Sequence, residues 1–201
     1  MSLPAGFHAL WATPIGVHRY AQASDFNPLL VRVLGAMRAM SGAPPAAFYA
    51  SDDDLLQRIK LPEWQAFVRF VVDSLRDTVS RANAAAWGPG ERALQVAIEG
   101  MWFQCSRGGA MHDVHTHGNC SWSGVYVVQV DPPEQRAAHP VHGPRHGVTR
   151  FYGPPFAQLG GAHVDLGNAY LQPPHVDIEP LPGQLVLFPS WLAHQAMPYD
   201  G

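Results

Sequence analysis

Two histidines separated by one residue, His115-Thr116-His117, are the feature of this chain best suited to do chemistry. On a β-strand, residues i and i+2 project to the same face. Imidazoles placed in this way converge on one divalent transition metal with little backbone strain, and neutral imidazole is the commonest ligand for such ions. Two side chains alone bind weakly and fix no geometry, so a third donor must come from elsewhere. His194, which follows the apolar run Leu185-Val186-Leu187-Phe188, is the best-placed candidate. His112 and Asp113 stay open as replacement ligands or as partners standing behind the ligands, because Asp113 shares the face of His115 and His112 lies one residue further back. The pattern HxH is unspecific alone, since strands carry polar pairs on solvent faces routinely. Three histidines would also serve a zinc hydrolase or lyase, or a cupin-like metal-binding barrel without catalysis.

Histidine is concentrated around this pair. Six of the 11 (His112, His115, His117, His139, His142 and His146) fall within one 35-residue window. The last three stand in a Pro/Gly-rich stretch with Arg136 and Arg145, which reads as a solvated surface loop, with a substrate or anion contact as the alternative.

Positioning these side chains requires short strands, and the sequence supplies them mainly after residue 90. Leu94, Val96 and Ile98 alternate with polar residues, as a half-buried strand should. Met101-Trp102-Phe103-Gln104 continues or follows it, with Trp102 expected in the core. Residues 123–130 (SGVYVVQV), 148–152 and 184–188 read as further strands, the last entered through a Pro182-Gly183 turn. Before residue 90, residues 7–20 hold a short strand interrupted by Pro14, and residues 41–50 read as a loop. A helix is expected from about Asn27 to Met40, with Asn27 as cap and Pro28 at its first position. Ser51-Asp52-Asp53-Asp54 is the acidic start of a short helix. From about Pro62 to Ala85, Trp64, Phe67, Val68, Val71, Val72, Leu75 and Val79 form one stripe at helical period, read as core packing against a sheet. Helices first and turn-bounded strands after favour one mainly β, α+β domain: an antiparallel barrel or jelly roll with helices on one face. Residues 1–90 supply the N-terminal strand and supporting helices, and residues 91–201 the β core.

Composition narrows the function further. A chain of 201 residues, 47% hydrophobic and 14% charged, can bury a substantial core. A net charge of −3 sets up no field that draws nucleic acid or an anionic membrane. No apolar run approaches the ~20 residues that span a bilayer. The N-terminus shows no export signal, so the cytoplasm is the expected compartment and Cys105 and Cys120 are expected as reduced thiols. Open strand edges leave room for a homodimer.

The runs HDVHTHGNCSWSGVYVV, RFYGPP and PGQLVLFPSWLAHQAMP, with FHALWATPI near the start, resemble a bacterial and phage branch of 2-oxoglutarate/Fe(II)-dependent oxygenases. The resemblance covers most of the chain apart from a divergent helical middle. It implies a double-stranded β-helix, with Fe(II) held by His115, His117 and His194. It implies 2-oxoglutarate as cosubstrate beside Gln104, which stands where the branch tends to place an asparagine, with Ser123 and Tyr126 lining the same pocket. Tyr126 reads equally as a satisfied interior tyrosine. The activity implied is hydroxylation by dioxygen of an unidentified, small-molecule or other, substrate. The wider superfamily uses two histidines and a carboxylate, so a third histidine makes this site more cationic by one charge and weakens the case for ordinary hydroxylation. The branch also carries an arginine, after the distal histidine, that pairs with the far carboxylate of 2-oxoglutarate. The sequence stops at Tyr199-Asp200-Gly201, just short of it, and the expectation is a closing strand beyond that point. Gly118 and Val127 replace the branch's usual proline and tyrosine, without consequence for metal binding.

Overall fold

The computed structural model describes residues 12–88, 90, 92–153 and 175–201. Most of the FHALWATPI resemblance, and the prolines ending RFYGPP, lie outside these residues. Their elements, in chain order, are β1 (Gly16–Arg19), α1 (Ala23–Met40), β2 (Phe48–Ala50), α2 (Leu55–Arg58), α3 (Pro62–Trp87), β3 (Gln104–Ser106), β4 (Ala110–His115), β5 (Trp122–Tyr126), α4 (Pro133–Ala137), β6 (Thr149–Tyr152), β7 (His175–Ile178), β8 (Gln184–Pro189) and β9 (His194–Tyr199).

The strands form antiparallel sheets ordered β1-β8-β5 and β4-β9-β6-β7, with a separate ribbon β2-β3. The central strand β8 is buried at all six positions, because it is paired on both edges and covered on both faces. Val186 and Phe188 meet Phe151 of β6 and Leu192, joined by Ile15, Val125 and Ile178, in an apolar layer between the two sheets. The other face of the three-stranded sheet meets α3. Helices, first sheet and second sheet are thus three stacked layers.

The helical layer is built around aromatic residues. Phe26 and Phe67 stack at 5.1 Å, and Tyr20, Trp64, Leu30 and Phe103 complete the cluster. The first half of the α3 stripe is core packing, as its periodicity predicts: Trp64 and Phe67 are buried, and Val68 and Val71 pack against the same cluster, whereas further along Ser74 and Thr78 are the buried positions and Val72, Leu75 and Val79 are half-buried. Helix α1 differs from expectation. It starts at Ala23, so Pro28 lies inside it, and Asn27 is no cap. Asn27 is buried, its Nδ2 donating to the Val128 carbonyl at 2.7 Å and its Oδ1 accepting from the Tyr126 hydroxyl at 2.7 Å. These tertiary bonds outweigh the local capping preference.

Two strand expectations also change. Residues 94–99 keep the period-two burial of a half-buried strand, yet no ladder forms there. Residues 41–50 are not all loop, because Phe48–Ala50 pairs with Gln104–Ser106. Three residues beside Pro44 and Pro45 carry too little pattern to announce a strand.

Candidate metal centre

The ligand nitrogens of His115, His117 and His194 lie within 4.8 Å of one another. Strand pairing brings them together across the sequence. His115 ends β4, His194 begins β9, and the two are direct partners in the antiparallel register. His117 lies two residues past the end of β4, where its backbone N–H donates to the Ser190 carbonyl at 2.9 Å. The rings of His115 and His194 are 4.2 Å apart, and each is 5.2 Å from that of His117.

Hydrogen bonding fixes the tautomers. His115 Nδ1 is 2.7 Å from the Asp113 carbonyl, and His194 Nδ1 is 2.9 Å from the Leu192 carbonyl. A carbonyl only accepts, so each Nδ1 carries the proton and each Nε2 keeps its lone pair for a metal. The protonation equilibria point the same way. Burial, then the neighbouring imidazoles His115, His117 and His112, hold His194 down to about 4 despite the opposing backbone bond. Burial also lowers His117, reinforced by His115 and His112. His117 and His194 are therefore neutral near pH 7, as metal ligation requires.

Asp113 does not offer its carboxylate: Oδ1 accepts the Val114 N–H at 2.7 Å, and only the backbone carbonyl of Asp113 serves His115. His112 stands outside the triad, its ring 4.0 Å from that of His115 and 5.7 Å from that of Phe48. Residues three apart on a regular strand face opposite ways. A register shift between His112 and His115 inserts one residue and returns both to the same side.

The expected cosubstrate residues divide by strand parity. Ser123 and Val125 share one face of β5, and Val125 packs in the layer between the sheets. There Ser123 Oγ is 2.8 Å from Ser190 Oγ, and Cys120 Sγ lies 3.1 Å from that same Ser190 hydroxyl. Tyr126 falls on the opposite face, against Phe67 at 4.6 Å, with its hydroxyl donating to Asn27. The structure corrects the pairing of Ser123 with Tyr126: three residues apart on a strand, they cannot line one pocket, and Tyr126 is an interior tyrosine of the helical core. Gln104 is exposed, on the ribbon face that also carries Trp102. Trp102 is likewise not core. It is 40% exposed, with its ring 6.1 Å from that of His117.

A second group, His139, His146 and Asp200, also brings three ligand atoms within 4.8 Å. Both ring nitrogens of His139 and Nε2 of His146, however, are already engaged within the protein. His139 Nδ1 accepts from the His142 and Val141 N–H groups, so its Nε2 carries the proton and donates to Asp200 Oδ2 at 2.7 Å. His146 Nε2 accepts the Asp200 N–H at 2.8 Å. Both lone pairs are already used, and the two rings stack at 4.3 Å rather than converging edge-on. This group is a latch between residues 139–146 and the end of β9. The stretch is largely exposed, as a surface loop should be, but it is anchored from within: Arg136 is 2% exposed and bonded to Glu179, Asp131 and His146, and His146 is 4% exposed.

A three-histidine cluster able to hold a metal, set where paired strands end in a two-sheet fold, points to a class of metalloprotein, and comparison with known proteins gives the family. Residues 100–201 match the family model described as "Putative 2OG-Fe(II) oxygenase". The chain belongs to this family, which makes it an enzyme that uses Fe(II), 2-oxoglutarate and dioxygen. Its fold is similar to a crystal structure of a Pseudomonas putida prolyl-4-hydroxylase, with TM-score 0.51, 15% identity, and coverage of 93% of this chain and 86% of that one. No curated protein sequence matches it. Among the described residues, no helix is long and apolar enough to cross a membrane.

Proposed function

We propose that this protein is an oxygenase of hydroxylase type whose iron is held by His115, His117 and His194. The observation that carries the reading is the pair of Nδ1–H···O=C bonds, which leave two Nε2 lone pairs free within one small cluster. The donor set fits the ion: neutral imidazoles suit divalent iron, and three of them leave coordination positions open for further ligands. When bound, Fe(II) would let dioxygen, the oxidant, react with 2-oxoglutarate as two-electron co-reductant, so that one oxygen atom enters a substrate C–H bond and the other enters the succinate formed as carbon dioxide leaves.

The protein's own groups bind, orient and exclude water. The carbonyls of Asp113 and Leu192 hold the His115 and His194 rings in one tautomer. Phe151 and Phe188, with ring centroids 5.9 Å and 4.6 Å from that of His194, dry its inner side. Gln104, able to donate and accept, is the residue we assign to the 2-oxoglutarate carboxylate, with Ser123 on the inward face of β5. The sheet orders β4-β9-β6-β7 and β1-β8-β5 support the reading of a single-domain double-stranded β-helix, with the ligand-bearing ends of β4 and β9 at its mouth.

Anaerobic titration of the full-length protein should show Fe(II)-dependent binding of 2-oxoglutarate, and admission of oxygen should then yield succinate. Iron-loaded protein that neither binds 2-oxoglutarate nor turns it over would sink the proposal.

A further inference from the structure

One face of the β2-β3 ribbon turns toward the histidines. Phe48 pairs with Ser106 and Ala50 with Gln104, so these four share a face, and Trp102, two residues before Gln104, extends it. Both ends of this face meet the site: the Phe48 ring is 5.7 Å from His112 and the Trp102 ring 6.1 Å from His117. The opposite face, with Tyr49 and Phe103, packs into the helical core. None of those five site-facing side chains carries a charge.

Trp102 is held out over the site. Met101 donates to the Asp53 carbonyl and accepts from the Leu55 N–H, both at 3.0 Å. Phe103 accepts from the Ser51 N–H at 3.0 Å and donates to Ser51 Oγ at 3.1 Å. With both neighbours pinned and Phe103 buried on the far side, the pleat leaves the indole no route into the core. A large aromatic ring kept exposed on a rigid backbone beside a reaction centre is a ready-made contact surface, because it offers much area at little cost in ordering.

We propose that Trp102 positions and selects the substrate: the molecule to be oxidised lays an uncharged planar or apolar portion against this indole. The inference rests on the oxygenase reading above and adds to it the chemical character of the substrate. Phe48 closes the other end of the uncharged face, and Ser106 opposite it offers a hydrogen bond without a counter-charge, Gln104 being left to the cosubstrate.

The test uses full-length protein labelled with 5-fluorotryptophan and loaded with Co(II), a paramagnetic stand-in for iron. The fluorine resonance missing from Trp102→Phe belongs to Trp102. It should broaden on Co(II) loading, then shift saturably with indole, a neutral planar probe, and not with tetramethylammonium. By equilibrium dialysis, Trp102→Ala should bind indole roughly three- to tenfold more weakly. Trp102→Phe should recover most of that loss, with Co(II) affinity and melting temperature at wild-type values in both. Co(II) binding with a Trp102 resonance that ignores indole, or that answers only to tetramethylammonium, overturns this proposal alone. Protein that binds no Co(II) overturns the metal site and this proposal with it.

Discussion

At the scale of the residue, the two histidine clusters show that proximity alone does not make a metal site. Both bring three donors within 4.8 Å, but only the first has lone pairs to give. Replacing His194 by Ala should therefore cut Fe(II) affinity by more than the roughly 10- to 100-fold typical of losing a supporting hydrogen bond, as read by anaerobic titration. Replacing His117 by Asp should instead preserve iron binding and 2-oxoglutarate turnover, because two histidines and a carboxylate are the superfamily's usual set. Loss of metal in His117→Asp equal to that in His117→Ala would show that the centre requires three imidazoles. The sequence made His115, His117 and His194 legible, through HxH and the distal FPSWLAH run. It could not show which nitrogen of each ring is free, since the backbone carbonyls that decide this come from the fold. Nor could it place Trp102, whose apolar character suggests the core until the pleat assigns that place to Phe103.

At the scale of the element, β8 joins the sheets to the site. Phe188 is fully buried, 4.8 Å from Phe151 and 4.6 Å from His194 by ring centroid. Phe188→Ala should cost roughly 3–5 kcal/mol in urea unfolding, from lost burial and the cavity left behind. It should also weaken iron binding, by freeing the His194 ring; unchanged affinity would show that the Leu192 carbonyl suffices to hold it. The strands β5, β6 and β8 were visible as apolar or alternating runs. Strand β9 was hidden because Pro198 reads as a breaker, and the sheet accommodates it at an irregularity in register opposite β4. Register, which period-two patterning leaves open, also decides that Ser123 faces inward and Tyr126 does not.

At the scale of the whole molecule, the buried histidines make stability depend on pH. Burial lowers His112, His117, His146 and His194 in the folded state, His194 to about 4 from an ordinary 6.5. Below that ordinary value the unfolded chain takes up protons that the folded chain refuses. The contribution is thus complete above pH ~6.5 and is lost as pH falls toward about 4. For metal-free protein, His194 alone should remove roughly 2–3 kcal/mol between about pH 7 and pH 4, with the others acting in the same direction. Urea melts across that range test this, and stability that stays flat or rises on acidification would contradict it. The pairing of Gly16 with Leu187, and its neighbours in the same ladder, carries a further consequence. The innermost strand, β8, pairs on one edge with a strand that precedes the whole helical layer, so the three-stranded sheet is complete only when that long stretch of chain has been closed into a loop. Its folding is governed by closing one very long loop, which makes it slow and leaves the apolar run of β8 open to aggregation until β1 and β5 enclose it.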